Sequence, residues 1–314
     1  MEPPADLDLP SGGNRRRRTG CRCSADFCRC VVGECFATFF FILIAGTLDI
    51  DWSLNGRATP CPPTNELFSN NSIVESADAM KVIQVALTLG LGVGTLTQCF
   101  EHISGAHLNP AVTLAFLVTR QVGLLKGLFY IGVQFIGGFT AVLLLRGFLP
   151  RQIQGGLGYV TPSSLVSSHQ AFGMELLVTF LFVFAVLAST DKTRSLPKSQ
   201  SLQIGLAYAL VTFWGFSFSG AVMNPVRILA PAVVLGPSEI DLVWLPVLEV
   251  YIAGPLLGSI AAALIYRYVF NMHRKSLDVT DSQQGSSIYD PEMDPSLVTL
   301  QRVTPYRNKM VSEM

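Results

Sequence analysis

The chain has 314 residues, 50% of them hydrophobic and 14% charged, with a net charge of +0 and a mean hydropathy of +0.44. Soluble proteins carry roughly a quarter charged residues, so the composition excludes an ordinary soluble domain and points to a membrane protein. The balanced charge gives no basis for nucleic-acid binding.

Residues 1–29 are polar, contain Arg15, Arg16, Arg17 and Arg18 and lack an apolar core, so they read as a disordered cytosolic tail rather than a cleaved signal peptide. Five of the 7 cysteines, Cys21, Cys23, Cys28, Cys30 and Cys35, crowd the approach to the first apolar segment. They read first as unmodified thiols, then as acylation sites beside a membrane, and last as zinc ligands. The remaining two, Cys61 and Cys99, are isolated, and no disulfide framework follows.

Residues 31–50 form the first span, close to the roughly 20 apolar residues a bilayer core requires. Glu34, a charge inside this segment, is costly in lipid and must face protein. Residues 51–79 read as an exposed loop with Pro60, Pro62 and Pro63 and the sequon Asn70-Asn71-Ser72. Facing the exterior, Asn70 is a glycan acceptor; otherwise the sequon is unused. Residues 79–99 are the second span, where Gly90 and Gly94 would let another helix approach closely. The apolar run 112–118 ends before Arg120 and is too short to cross. It suits a half-helix that enters the membrane and stops, tolerated only where its backbone ends meet protein or a watery cavity.

The third span is 124–145, followed by a polar connector over 146–168, a fourth span over 171–189 and a fifth over 202–218. A second half-helix over 224–235 and a long sixth span over 243–270 complete the apolar part. Residues 271–314 form a polar tail whose Ser312-Glu313-Met314 end is a weak PDZ-type ligand.

Two internal repeats organise these segments. Ser104-Gly105-Ala106-His107-Leu108-Asn109-Pro110-Ala111 shares its frame with Ser219-Gly220-Ala221-Val222-Met223-Asn224-Pro225-Val226, and Glu34 with Thr38 and Phe39 matches Glu175 with Thr179 and Phe180. Asn ahead of Pro is a helix start: Asn caps, and Pro is tolerated at the first helical position. Each half holds three spans with a half-helix after the second, and an odd count per half inverts one half relative to the other. The predicted fold is therefore an all-α membrane protein of six transmembrane helices plus two re-entrant half-helices in an inverted repeat. The channel domain is 30–270, with halves of about 30–150 and 170–270. Arg120, Lys126, the 191–201 connector, Arg267, Arg274 and Lys275 fall on the side of the basic N-terminus, which the positive-inside rule makes cytosolic.

Inverted half-helices bring two N-termini together near mid-membrane, each with orphan N–H groups and a positive dipole end. Such a pore repels cations and protons, while the Asn109 and Asn224 amides donate to neutral molecules. Arg227 adds a fixed charge on the exterior side, where the first motif has Leu114 nearby and no charge. Arg227 is read as a pore residue, against the alternative of an anchor that snorkels to the headgroups.

The stretch from His102 to Thr113 resembles the first signature of the aquaporin, or major intrinsic protein, family. Asn224-Pro225-Val226-Arg227, with Pro231 and Ala232 behind it, resembles the second. With the paired glutamates, the resemblance spans about 31–270. It implies a homotetramer with one passive pore per subunit, structural bracing of the pore loops by Glu34 and Glu175, and an outer constriction of Leu89, Thr212, Ala221 and Arg227. A one-residue slip would exchange Thr212 for Phe213. His102 and His107 match positions on the cytosolic approach, where packing and pH gating are both open readings. The departures are Val226, where the family usually has Ala; Leu89 and Thr212, where water-selective members place an aromatic and a His; Ala221 in place of a mercury-sensitive Cys; and Ile228. Tyr251 matches water-conducting members and Ile252 glycerol-conducting ones.

The leading reading is a passive channel for water, with small neutral solutes possible passengers; the rival is a glycerol or urea facilitator. A non-conducting adhesion or signalling protein is the third reading. The four His are scattered and no catalytic or metal-ligand spacing occurs, so neither enzyme activity nor a cofactor is expected. The plasma membrane, with both termini cytosolic, is the expected location.

Overall fold

A computed structural model describes residues 25–48, 50, 71–191, 199–236 and 247–270. Six helices are long and apolar enough to cross a membrane. In chain order the elements are α1 (Ala25–Gly46), α2 (Asn71–Phe100), α3 (Pro110–Val118), α4 (Leu124–Phe148), α5 (Ser168–Ser189), α6 (Gln200–Ser219), α7 (Pro225–Leu235) and α8 (Val247–Phe270). Helices α3 and α7 are the two short ones. No strand occurs among the described residues.

Helices α1 and α2 start ahead of their apolar boundaries, and α1 also stops short of its own. Residues 25–29, assigned to the tail by sequence, are the first turn of α1, with Asp26 at its positive end and an exposed Arg29–Asp26 pair at 3.2 Å. At the other end α1 stops at Gly46, four residues early. Helix α2 likewise begins at Asn71, within the stretch read as a loop. Hydropathy marks where a helix meets lipid, whereas the backbone ladder continues into water wherever the residues permit it. Helix α5 starts at Ser168 because Ser167 and Gln170 form a reciprocal capping box. In α8, Pro255 lacks the N–H needed for the bond to residue 251, and the turn before it, Val247–Ala253, widens to π geometry.

Packing follows the inverted repeat. Helix α1 packs on α4 as α5 packs on α8, α3 lies against α8 as α7 lies against α4, and α2 pairs with α6 across the pseudo-twofold. The last pair is the closest. A Cβ on Gly205 would lie 2.7 Å from the Gly90 carbonyl oxygen and 2.9 Å from Gly94 Cα, so the small residues noted in α2 are matched by one in α6. Outer faces carry Leu87, Leu91, Ile136, Leu206, Leu210 and Phe213, all exposed, as lipid contact requires.

Asn70, Cys21, Cys23 and Cys61, residues 1–24 and 271–314, and with them Ser312-Glu313-Met314, lie outside the described residues. The described cysteines Cys28, Cys30, Cys35 and Cys99 are free thiols.

Candidate functional site

Asn109 and Asn224 stand at the centre of the molecule as N-caps of α3 and α7, each followed by Pro at the first helical position. Asn109 Oδ1 accepts from Ala111 N at 2.8 Å, and Asn224 Oδ1 from Val226 N at 3.0 Å. Each amide nitrogen then crosses to the other half: Asn109 Nδ2 donates to Met223 O at 2.9 Å, and Asn224 Nδ2 to Leu108 O at 3.0 Å. An amide NH2 has two hydrogens. The sequence reading had each amide donate to a passing molecule; the fold commits one hydrogen per side chain to holding the half-helices together, and one remains.

The loops before these caps adopt the same unusual backbone. Gly105, Ala106 and Leu108 have φ of 98°, 50° and 56°, and Gly220, Ala221 and Met223 have 86°, 46° and 54°. Left-handed alanine, leucine and methionine are strained, and such strain persists only where the surroundings over-determine it. The paired glutamates supply that restraint. Fully buried Glu34 accepts from Ser104 Oγ at 2.7 Å, His107 N at 2.8 Å, Leu108 N at 3.0 Å and Gln134 Nε2 at 2.9 Å. Glu175 accepts from Ser219 Oγ at 2.6 Å, Val222 N at 2.9 Å and Met223 N at 2.9 Å. Tyr130 and Tyr251 complete the mirrored brace, donating to Ser104 O at 2.7 Å and Ser219 O at 2.9 Å. Tyr251 therefore holds the loop, as Tyr130 does.

The copies differ one turn into each half-helix. Thr113 joins His107 Nδ1 (3.1 Å) and Gln134 Nε2 (3.0 Å) in a buried polar cluster. Ile228 occupies the corresponding place in α7 and is fully buried. Val112, not Leu114, corresponds to Arg227. Arg227 is 4% exposed and its Nη1 donates to Ala221 O at 2.9 Å, a burial incompatible with snorkelling. Its Nε is buried with no hydrogen-bond partner among the described residues.

A cavity of ≈ 20 Å³ reaches the two caps, about the space one water needs. Its wall includes the 105–108 peptides, His107, Asn109 and Asn224, with Thr97 on α2 and Tyr208 on α6. His107 is buried there and stacks on Phe116 at 4.5 Å. His102 is exposed and absent from this wall; the two histidines grouped by sequence thus part, because the turn after α2 directs only the second one inward.

Residues 22–266 match the family described as Major intrinsic protein. The chain belongs to the major intrinsic protein family. It is 36% identical to Aquaporin-2 of Homo sapiens over 255 residues, covering 81% of this chain and 83% of that one. It is 33% identical to Aquaporin-4 of Bos taurus over 245 residues, covering 78% and 68%. The X-ray structure of the aquaglyceroporin from Plasmodium falciparum superposes with a TM-score of 0.62 at 20% identity, covering 81% of this chain and 99% of that chain, and so shares the fold.

Within this major intrinsic protein fold, Leu89, Thr212 and Ala221 are fully buried. Leu89 lies one helical turn from Val93, and Thr212 one turn from Tyr208; Val93 and Tyr208 both line the cavity, whose wall includes none of Leu89, Thr212, Ala221 and Arg227. Phe213, the alternative to Thr212, is 40% exposed on the outer face. The branched Val226 is accommodated by α4: a Cβ on Gly138 would lie 2.2 Å from Val226 Cγ1, so the missing side chain at 138 leaves room for the extra bulk at 226. Gly138→Ala is expected to lower stability by about 1–3 kcal/mol through overpacking, and Val226→Ala in the same chain to restore most of it. Thermal unfolding in detergent checks this; equal loss in the single and double variants contradicts the pairing.

Sequence reasoning missed Gln134, Thr97 and the rings Phe41, Phe182 and Tyr208. Tyr208 carried a usable signal, since it stands four residues before Thr212 and shares its helical face.

Proposed function

We propose that the chain is a passive channel for water, built around the amide hydrogens that Asn109 and Asn224 retain in a narrow, peptide-lined cavity. The observation that carries the reading is the cross-tied cap pair. Two positive helix ends and two donors converge on one point, with no carboxylate in the wall, so a cation meets no compensating negative charge there while a neutral molecule able to accept hydrogen bonds finds donors. Asn109, Pro110 and Ala111 with Asn224, Pro225 and Val226 form the centre; Glu34 and Glu175 act as braces, and Leu89, Thr212, Ala221 and Arg227 as the outer constriction. The relatives named Aquaporin-2 and Aquaporin-4 support this reading. Nothing in the arrangement calls for a reacting group, and the role is transport rather than catalysis.

The rival, a glycerol or urea facilitator, is favoured by one observation: Leu89 and Thr212 put no aromatic ring and no imidazole at the outer constriction. The finer organisation we infer is a homotetramer in the plasma membrane with both termini cytosolic, channel residues 30–270 and a C-terminal PDZ-type contact. Vesicles containing the protein are expected to shrink rapidly in impermeant osmolyte and to fail to re-swell in glycerol or urea. Re-swelling selects the facilitator, and shrinkage no faster than in empty vesicles refutes conduction.

A further inference from the structure

Tyr208 is fully buried on α6, and two rings from other helices close around it. Phe41 of α1 meets it edge-on at 5.8 Å between centroids, and Phe182 of α5 at 5.0 Å. All three rings line the cavity that holds Asn109 and Asn224, so this is pore wall rather than a cluster packed behind it. The Tyr208 hydroxyl reaches Val222 O at 3.5 Å, in the loop leading to Asn224, next to the Ala221 carbonyl that holds Arg227. Tyr208 therefore stands between the paired caps and the Arg227 level, one turn from Thr212, to which it is tied by the Thr212 Oγ1 bond to its carbonyl at 2.8 Å.

We infer that Tyr208, closed in by Phe41 and Phe182, is a second and central size filter at the paired Asn residues, and that it restores the solute exclusion which Leu89 and Thr212 relinquish at the outer constriction. The inference rests on the channel reading above. Its physical basis is dimensional and chemical. Ring centroids 5.0–5.8 Å apart crowd one stretch of the cavity wall, so a three-carbon polyol must press against them where a single water need not. The ring faces offer no hydrogen bond, so a molecule passing here has only the remaining Asn hydrogens, the peptide carbonyls and the single Tyr208 hydroxyl to satisfy it. Water does so in one small step; a polyol stripped of its own hydration leaves several hydroxyls unpaired, each at a cost in free energy.

The experiment compares wild type, Tyr208→Leu, Phe182→Leu and Tyr208→Phe in vesicles, with rates normalised to monodisperse protein. Osmotic shrinkage reads water, and re-swelling in glycerol reads the filter. Wild type is expected to pass water and exclude glycerol. Tyr208→Leu should raise glycerol entry at least tenfold with water flow equal or greater, and Phe182→Leu, which trims the same ring cluster from another helix, should do so to a smaller degree. Tyr208→Phe keeps the ring and should keep exclusion. Glycerol exclusion unchanged in both Leu variants overturns the inference, as does Tyr208→Phe opening as far as Tyr208→Leu. If Tyr208→Leu is not recovered folded, Phe182→Leu decides alone. A wild type that passes no water instead refutes the channel reading, and a wild type that already passes glycerol refutes the filter.

Discussion

Glu34→Ala is expected to yield little folded channel. Removing the carboxylate takes the acceptor from Ser104 Oγ, His107 N and Leu108 N and one of two partners from Gln134 Nε2, which keeps Thr113 Oγ1. Each such orphan costs about 1–3 kcal/mol, so the loss is on the order of 5 kcal/mol, a large share of the roughly 5–15 kcal/mol that stabilises a folded domain. The loop also loses what holds Ala106 and Leu108 at positive φ. Glu175→Ala removes one acceptor for three donors and should be less severe. Glu34→Gln should fall between wild type and Glu34→Ala, since the amide oxygen still accepts but the NH2 opposes donors. Monodisperse yield after detergent extraction and the thermal midpoint report the order. A Glu34→Ala protein with wild-type yield and midpoint would remove Glu34 from the brace.

Arg227→Ala is expected to retain water flow and lose exclusion of protons. At roughly 8 Å and an effective dielectric constant of about 20, a fixed charge contributes about 2 kcal/mol against a passing cation, which corresponds to roughly thirtyfold in rate. Arg227 is held to its place by Ala221 O, so substitution removes a charge in a defined position. Dissipation of an imposed pH gradient, read by an entrapped dye with potassium and valinomycin clamping the potential, measures the leak. Glycerol entry should rise less, because the Tyr208 ring remains. A leak equal to wild type would show that the charge does not face the conducted path.

How much of this was legible in the sequence depends on the range of the interaction. The half-helices were legible because their signals are local: an Asn cap, a Pro at the first turn and an apolar run too short to cross. The brace was legible as far as Glu34 and Glu175, since a carboxylate inside an apolar segment must find partners in protein. Its remaining members were not. Gln134 stands 100 positions from Glu34, and no periodicity connects them. The starts of α1 and α2 were misplaced because hydropathy reports the lipid boundary, not the start of the hydrogen-bond ladder.

By itself, then, the sequence determined the inverted repeat, the two capped half-helices and the buried glutamates, all set by local caps and burial costs. Only the tertiary structure decided that each Asn amide spends one hydrogen on the opposite half, that Gly138 makes room for Val226, that His107 enters the wall while His102 does not, and that Phe41, Phe182 and Tyr208 meet at one level. Those outcomes depend on where helices distant in the chain cross, and a crossing is set by the shapes of both partners at once.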